Sequence, residues 1–271
     1  MKNATLLFIF ALLLAACGNG KPAMEDEKSM DTESAMESKS NMDAPEITLN
    51  PKKSGHEFPG ADMEDWKFEG GKFTFEVNPT TYEFGIQTPD AKSTMCANSG
   101  KGQHIHLIVD NKPYAAKYTP EFEYEIEDGE HSVLAFLSRS YHESIKTPAA
   151  HKAVVATVKN NSFTKVEPVT GPMLYYSRPK GTYVGKDAKT LLLDFYLENV
   201  KLDANHQVKV ETNGKTFMVD KWQPYTLEGL PMGENTVTLT LVDGAGKRIE
   251  APLNPVSRTF TLKADPLEMA K

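Results

Sequence analysis

An internal repeat of alternating apolar and polar residues limits this chain to a narrow set of folds. The segment FEYEIEDGEHSVLAFL at 122–137 aligns with PYTLEGLPMGENTVTLTL at 224–241, and HIHLIVDN at 104–111 aligns with QVKVETNG at 207–214. Alternation with a period of two is typical of half-buried strands, because successive side chains of a strand point to opposite faces. Two copies of one strand set predict two β-sandwiches in tandem.

The residues between these runs also favour strands over helices. Asp-Asn, Asp-Gly and Asn-Gly pairs, which are typical of hairpin turns, begin at positions 110, 128 and 213. We therefore expect an all-β protein with two tandem immunoglobulin-like β-sandwich domains. Pro and Gly accumulate near 169–179, which places domain 1 at 58–168 and domain 2 at 169–271. We expect the two domains to pack closely, with Arg178 and Trp222 near their junction.

The N-terminus has the pattern of an export signal. Lys2 precedes an apolar run that is too short to span a bilayer, and Ala15 and Ala16 are the small residues typical of a cleavage site. The sequence Leu14-Ala15-Ala16-Cys17 resembles the lipobox of bacterial lipoproteins. This resemblance implies a signal peptide at 1–16 and a lipidated Cys17 carrying acyl chains such as palmitate. It also implies a membrane-anchored protein of the bacterial cell envelope, in the outer membrane.

The segment after the lipobox predicts a tether. Residues 17–57 contain no aromatic side chain and are rich in charged residues, Ser and Met, so they bury too little apolar surface to offset chain entropy. We expect a disordered acidic tether over 17–57. Its methionines recur every six residues from Met24 to Met42. This spacing fits either an expanded spacer or soft thioether ligands for Cu⁺.

Charge and cysteine content narrow the function classes. The formal net charge is −7, and it becomes −8 once removal of residues 1–16 deletes Lys2, so we expect no nucleic-acid partner. Lipidation of Cys17 leaves Cys96 without a partner for a disulfide within the chain. A leftover thiol of this kind is either a small buried apolar residue or a ligand.

The repeat indicates which residues do not belong to the core of domain 1. His104 and His106 align with Gln207 and Lys209, so we expect both imidazoles on one solvent-facing strand surface, close enough to share a ligand. The same comparison places apolar residues on an outer strand face. Leu134 and Phe136 stand where domain 2 has threonines, so the other domain or a partner is expected to cover this face.

A loop follows the aligned strand of domain 1 and carries further polar residues. It reads SRSYHES at 138–144, where domain 2 has the plain turn DGAG at 243–246. Together with HIH at 104–106, YSRPKGTY at 176–183 and WQP at 222–224, it resembles a group of bacterial envelope proteins of unassigned activity. The resemblance covers about 102–262, although Tyr141 stands where this group more often has Trp. It implies the architecture and the location of a site, and it names no reaction.

These observations predict a metal-binding envelope protein that is not an enzyme. The candidate ligands are His104, His106, His142, Glu143 and Cys96, and their chemistry suits copper or zinc. Further candidate binding residues are Arg139, Tyr141, Arg178 and Trp222. A plain polar strand face explains the histidine pair equally.

Two other functions stay open at this point. A carbohydrate- or protein-binding module would use Trp66, Trp222, Tyr175 and Tyr176 as its platform, although aromatic residues buried between domains explain the same pattern. A hydrolase of unknown type is the third possibility. The sequence has no GxSxG, HExxH or glycine-rich phosphate loop that would support it.

Overall fold

The computed structural model describes residues 45–267, and it confirms the expected all-β class. The strands are β1 (Thr48–Pro51), β2 (Met63–Glu69), β3 (Lys72–Val77), β4 (His104–Val109), β5 (Ala115–Lys117), β6 (Glu121–Glu123), β7 (Gly129–Ser138), β8 (His151–Lys159), β9 (Ser162–Pro168), β10 (Met173–Arg178), β11 (Gly181–Val184), β12 (Thr190–Glu198), β13 (His206–Thr212), β14 (Lys215–Val219), β15 (Tyr225–Glu228), β16 (Gly233–Asp243) and β17 (Val256–Lys263). Short 3₁₀ turns lie at Ala91–Ser93, Pro148–Ala150 and Gly185–Ala188. The predicted signal peptide, Cys17 and the tether up to residue 44 lie outside the described residues. Over 45–267, no helix has the length and apolar character needed to cross a membrane.

The first sandwich consists of a sheet in the order β2-β3-β6 and a sheet in the order β5-β4-β7-β8-β9. The inward faces of both sheets meet in one apolar core, to which Phe73 and Phe75 contribute from β3 and Ile105 and Leu107 from β4. All four side chains are at most 3% exposed. Because inward residues alternate with outward ones along a strand, the other face of β4 carries His104 and His106.

The second sandwich pairs a sheet in the order β1-β15-β12-β10 with a sheet in the order β11-β17-β16-β13-β14. Its core joins Leu193 and Phe195 of β12 to Val210 and Leu239 of the opposite sheet. All pairings within these sheets are antiparallel except that of β11 with β17, which is parallel.

Strand β1 corrects the predicted tether and the predicted contiguous domain 2. It lies within 17–57, yet it forms an edge of the second sandwich by pairing antiparallel with β15, with Thr48 opposite Glu228. Ile47 and Leu49 pack against the core of that sandwich. Two apolar residues at alternate positions are too short a signal to stand out from a strongly polar segment. The second sandwich therefore includes residues on both sides of the first.

A third apolar cluster joins the two sandwiches. Leu134 and Phe136 of β7 pack with Tyr175 of β10 and Tyr196 of β12, and the rings of Phe136 and Tyr196 are stacked with centroids 5.0 Å apart. All four side chains are fully buried. The second sandwich thus covers the outer apolar face that the sequence comparison singled out.

Candidate metal centre

His104 and His106 lie beneath the second sandwich. Both side chains project from the outer face of β4, as their alignment with Gln207 and Lys209 predicts, but both are 0% exposed. The prediction of a solvent-facing surface is wrong because the β10 and β12 sheet packs on this face. Packing of the second sandwich on the first therefore buries the outer face of β4.

His142 comes from the loop that follows β7. The backbone N–H of His142 donates to Arg139 O, and that of Arg139 donates to Glu143 O, both at 2.9 Å. His142 closes this tight turn with φ of +68°, a left-handed conformation that residues other than glycine seldom adopt. The turn directs the imidazole of His142 toward the end of β4.

The three imidazoles converge. His104 Nε2 lies 2.9 Å from His106 Nε2 and 2.9 Å from His142 Nδ1. One ring nitrogen from each residue lies within 4.8 Å of the others. The three nitrogens are thus close enough for one metal ion to draw them together, with each nitrogen about 2.0–2.1 Å from the metal.

Outer hydrogen bonds orient two of the rings. His104 Nδ1 donates to Gly102 O at 2.8 Å, and since a carbonyl only accepts, the proton of a neutral ring is held on Nδ1 and Nε2 keeps its lone pair. His106 Nδ1 lies 3.3 Å from Ser177 Oγ, a residue of the second sandwich. Hydrogen-bonded outer nitrogens of this kind fix the tautomer and orientation of metal-ligating histidines.

Tyr114 forms one wall of the cluster. Its ring is stacked on that of His106 with centroids 3.6 Å apart and planes 8° apart, and its Oη lies 3.3 Å from His142 Nδ1. Burial raises the pKa of this phenol well above its usual value. Tyr114 therefore stands as a neutral hydroxyl beside the ring nitrogens.

Burial also keeps the three imidazoles uncharged. Desolvation lowers the pKa of His104 from 6.5 to about 4. Desolvation is also the main cause that holds the pKa values of His106 and His142 well below 6.5, and the nearby Arg178 lowers both further. All three rings are neutral at pH 7, which is the form that binds metal ions.

The structure does not bring the other two predicted ligands to this cluster. Glu143 is fully buried, but its oxygens accept hydrogen bonds from Lys52 Nζ at 2.6 Å and from Gly55 N at 2.8 Å, and Arg139 lies 3.3 Å away. Its inclusion as a ligand is wrong because these partners occupy the carboxylate. Cys96 is a free, buried thiol outside the three-histidine group, and desolvation raises its pKa.

Two predicted binding residues of the same loop are structural instead. Arg139, 4% exposed, donates to the carbonyl oxygens of Gly55, His56 and Ser144. Tyr141, 1% exposed, donates its hydroxyl to the carboxylate of Asp90. Neither side chain is free to bind a partner, because each is already saturated by the segments that pack on the loop.

The aromatic residues proposed as a platform do not form a common exposed surface. Tyr175 and Tyr176 are fully buried. Trp222 is half-buried, lies edge-on to Tyr196 and donates Nε1–H to Phe195 O at 2.9 Å. Trp66 is half-buried on the first sandwich, where its ring is stacked on that of Phe73.

Arg178 lies at the contact between the two sandwiches. Tyr114, Ser177 and Lys180, which lie near it, were not singled out from the sequence. The Arg178 guanidinium lies 5.7 Å from the ring centroid of Tyr114, and Lys180 Nζ lies 3.8 Å from the same centroid. Ser177, Arg178 and Lys180 all belong to the motif YSRPKGTY, so the motif was the available signal for this wall. Tyr114 had no such signal, because it lies in an ordinary segment after a turn.

No family model matches this chain, and a search of curated proteins finds no match either. Among solved structures, fibronectin(III)-like modules of Clostridium thermocellum CbhA share 17% identity over 34% of this chain and 99% of theirs, with a TM-score of 0.27.

Longer likenesses of lower sequence identity cover most of the chain. The extracellular domain of a putative hybrid two component system from B. thetaiotaomicron shares 11% identity over 74% of this chain and 37% of its own, with a TM-score of 0.28. The Bacteroides ovatus protein SGBP-B, solved in complex with a mixed-linkage heptasaccharide, shares 12% identity over 80% of this chain and 47% of its own, with a TM-score of 0.19. This chain thus matches less than half the length of either protein.

Proposed function

We propose that this protein is a non-catalytic metal-binding protein of the bacterial cell envelope, which holds one Zn²⁺ or copper ion with His104, His106 and His142. The observation that carries the proposal is the convergence of three neutral imidazoles, in which His104 Nε2 lies 2.9 Å from one nitrogen of each of the other two rings. Two nitrogens on one tetrahedral metal ion lie about 3.3 Å apart. The two 2.9 Å contacts of His104 Nε2 would therefore widen by a few tenths of an ångström on binding of an ion.

The pattern of donors and acceptors supports the same assignment. The lone pair of His104 Nε2 faces a nitrogen of His106 and a nitrogen of His142. A cation at the centre would accept the lone pairs of all three imidazoles at once, whereas in an ion-free cluster an N–H of His106 or His142 donates to the lone pair of His104 Nε2. Imidazole ligands suit Zn²⁺ and copper, and three of them leave a coordination position open.

Calorimetric titration of the full chain with Zn²⁺, Cu²⁺ and Cu⁺ tests this proposal. We expect one ion to bind per chain. The variant His104→Ala/His106→Ala should lose more than about 100-fold in affinity, because removal of one outer-shell partner alone typically costs 10- to 100-fold.

The matched control is the variant His131→Ala/His151→Ala, which removes two histidines that contact Asp110 and Glu198 away from the cluster. We expect its affinity to equal that of the wild type. Equal affinity in the wild type and the His104→Ala/His106→Ala variant would refute the proposal and assign the cluster to a hydrogen-bonded structural role.

We further propose that Cys17 anchors the protein in the membrane, an assignment that rests on the lipobox-like Leu14-Ala15-Ala16-Cys17. Several acyl chains on one residue would give stable attachment, since each buried CH₂ contributes about 0.8 kcal/mol. Cys17→Ser should abolish incorporation of labelled fatty acid and leave either a soluble protein or an unprocessed precursor. Unchanged labelling would exclude Cys17 as the lipidated residue.

A further inference from the structure

Arg178, the last residue of β10, is a buried cation without a balancing carboxylate. Its side chain is 7% exposed. Nη1 donates to Tyr183 Oη at 2.5 Å, while Nε has no acceptor among the residues that the structure describes. Over 45–267, no Asp or Glu forms an ion pair with it. Such burial is costly, because a desolvated charge needs an opposite charge to offset its lost hydration.

Lys180 adds a second cation to the same neighbourhood. Its Nζ donates to Tyr114 O at 2.7 Å, and no described carboxylate forms an ion pair with it. Desolvation lowers its pKa to about 8, and repulsion by Arg178 and Arg258 contributes to the shift. Two cations thus share one wall with only neutral hydrogen-bond partners.

The nearby buried carboxylates do not supply the missing charge. Glu143 is occupied by Lys52, Gly55 and Arg139. Asp194, also fully buried, pairs with Lys146 and accepts from Ser144. Each of these carboxylates is committed to its own partners, so the excess of positive charge at Arg178 and Lys180 stays uncompensated.

This excess borders the histidine cluster. Both cations lie near the ring of Tyr114, and that ring also stacks on His106. Ser177, next to Arg178 in the chain, contacts His106 Nδ1. A metal ion bound by three neutral imidazoles would add further positive charge. An anion beside the two cations would offset their charge, and one that also reached the open coordination position would offset the charge of the ion.

We propose that Arg178 and Lys180 bind a small oxyanion, a carboxylate or a phosphate, beside the three-histidine cluster. Its position as a ligand to the metal rests on the proposed function, whereas its attraction to the two cations does not. A planar guanidinium presents parallel N–H donors that match two oxygens of one oxyanion, and an ammonium adds a third donor. Chloride offers a single spherical acceptor and fits this arrangement less well.

Binding of inorganic phosphate, acetate and chloride to the full chain tests the proposal, with the protein either loaded with Zn²⁺ or treated with a chelator. Calorimetry should show phosphate or acetate bound more tightly than chloride. Arg178→Gln should weaken oxyanion binding on the order of 10- to 100-fold, the effect of losing charge-assisted hydrogen bonds.

Two variants complete the test. Lys180→Gln changes a half-buried residue, so it reports on the site even where Arg178→Gln impairs folding, and it should also weaken oxyanion binding. Arg248→Gln removes an exposed arginine paired with Glu250 and should leave binding unchanged. Equal affinity in the wild type, Arg178→Gln and Lys180→Gln would overturn the proposal.

The measurements on Zn²⁺-loaded and on chelator-treated protein distinguish failure of the anion site from failure of the metal site. Oxyanion binding to chelated protein, with no metal binding at all, would leave the anion site standing and remove the proposed function. Metal binding without any oxyanion binding would remove only the anion site. A phenolate-to-copper absorption band on loading with Cu²⁺, unaffected by phosphate or acetate, would assign the balancing charge to Tyr114 and also overturn the proposal.

Discussion

Replacement of Glu143 with alanine is expected to lower the free energy of unfolding by about 3–5 kcal/mol, the range found when one partner of a buried ion pair is removed. The carboxylate is fully buried. It accepts hydrogen bonds from Lys52 Nζ at 2.6 Å and from Gly55 N at 2.8 Å, and it forms an ion pair with Arg139 at 3.3 Å. Its loss leaves the Arg139 guanidinium, only 4% exposed, without an opposite charge. Denaturant titration of the metal-free protein measures the effect.

Two further variants identify the cause. Glu143→Gln keeps an oxygen that accepts from Gly55 N but loses the charge, so its loss of stability should be intermediate. Glu121→Ala removes an exposed carboxylate that pairs with the exposed Lys72, and we expect stability close to that of the wild type because such surface pairs contribute little. Similar losses of stability for Glu143→Ala and Glu121→Ala would show that the buried carboxylate of Glu143 does not hold the segment after β1 to the loop at 138–144.

Acid should destabilise the metal-free protein, and His104 alone should account for about 3 kcal/mol of the loss. Its pKa is about 4 in the folded protein and 6.5 in its ordinary state. Above pH 6.5 both folded and unfolded chains carry a neutral ring, so the stability is fully present. As the pH falls from 6.5 toward 4, the unfolded chain takes up a proton that the folded protein refuses, and the stability is progressively lost.

The measurement is the free energy of unfolding from pH 7.5 to pH 4 in the presence of a chelator, for the wild type and for His104→Gln. Carboxylates titrate in both proteins, so the difference between the two curves reports His104 together with its effect on the pKa values of His106 and His142. We expect the variant to lose less stability than the wild type over this range. Parallel curves would mean that the imidazole of His104 protonates as readily in the folded protein as in solution.

The faces of the strands could be predicted from the sequence because the repeat compares equivalent positions. With His104 and His106 assigned to the outer face, alternation puts Ile105 and Leu107 on the inward face, and they lie in the first core. The comparison assigns faces within one sandwich and contains no information on what packs outside it. For that reason His104 and His106 were placed correctly on the outer face of β4 but wrongly in solvent.

Long-range pairs could not be predicted in the same way. Glu143 meets Lys52, a residue 91 positions earlier that belongs to the segment expected to be disordered. Local composition cannot report such a contact, because a carboxylate on a loop has the same sequence pattern whether it binds a metal ion or a buried lysine. Tyr114 was missed for a related reason, since only the close approach of the second sandwich makes it a wall of the cluster.

The three histidines all lie on the first sandwich, while the surface that covers them belongs to β10 and β12. A chain that leaves the ribosome or an export channel N-terminus first presents residues up to Pro168 before that cover is complete, and domains fold largely as units in order of emergence. As the proposed ligands of a metal ion, the histidines would then face solution until the cover is in place. Loading of an ion would be a step of maturation, and in the finished protein its exchange would be limited by separation of the two sandwiches.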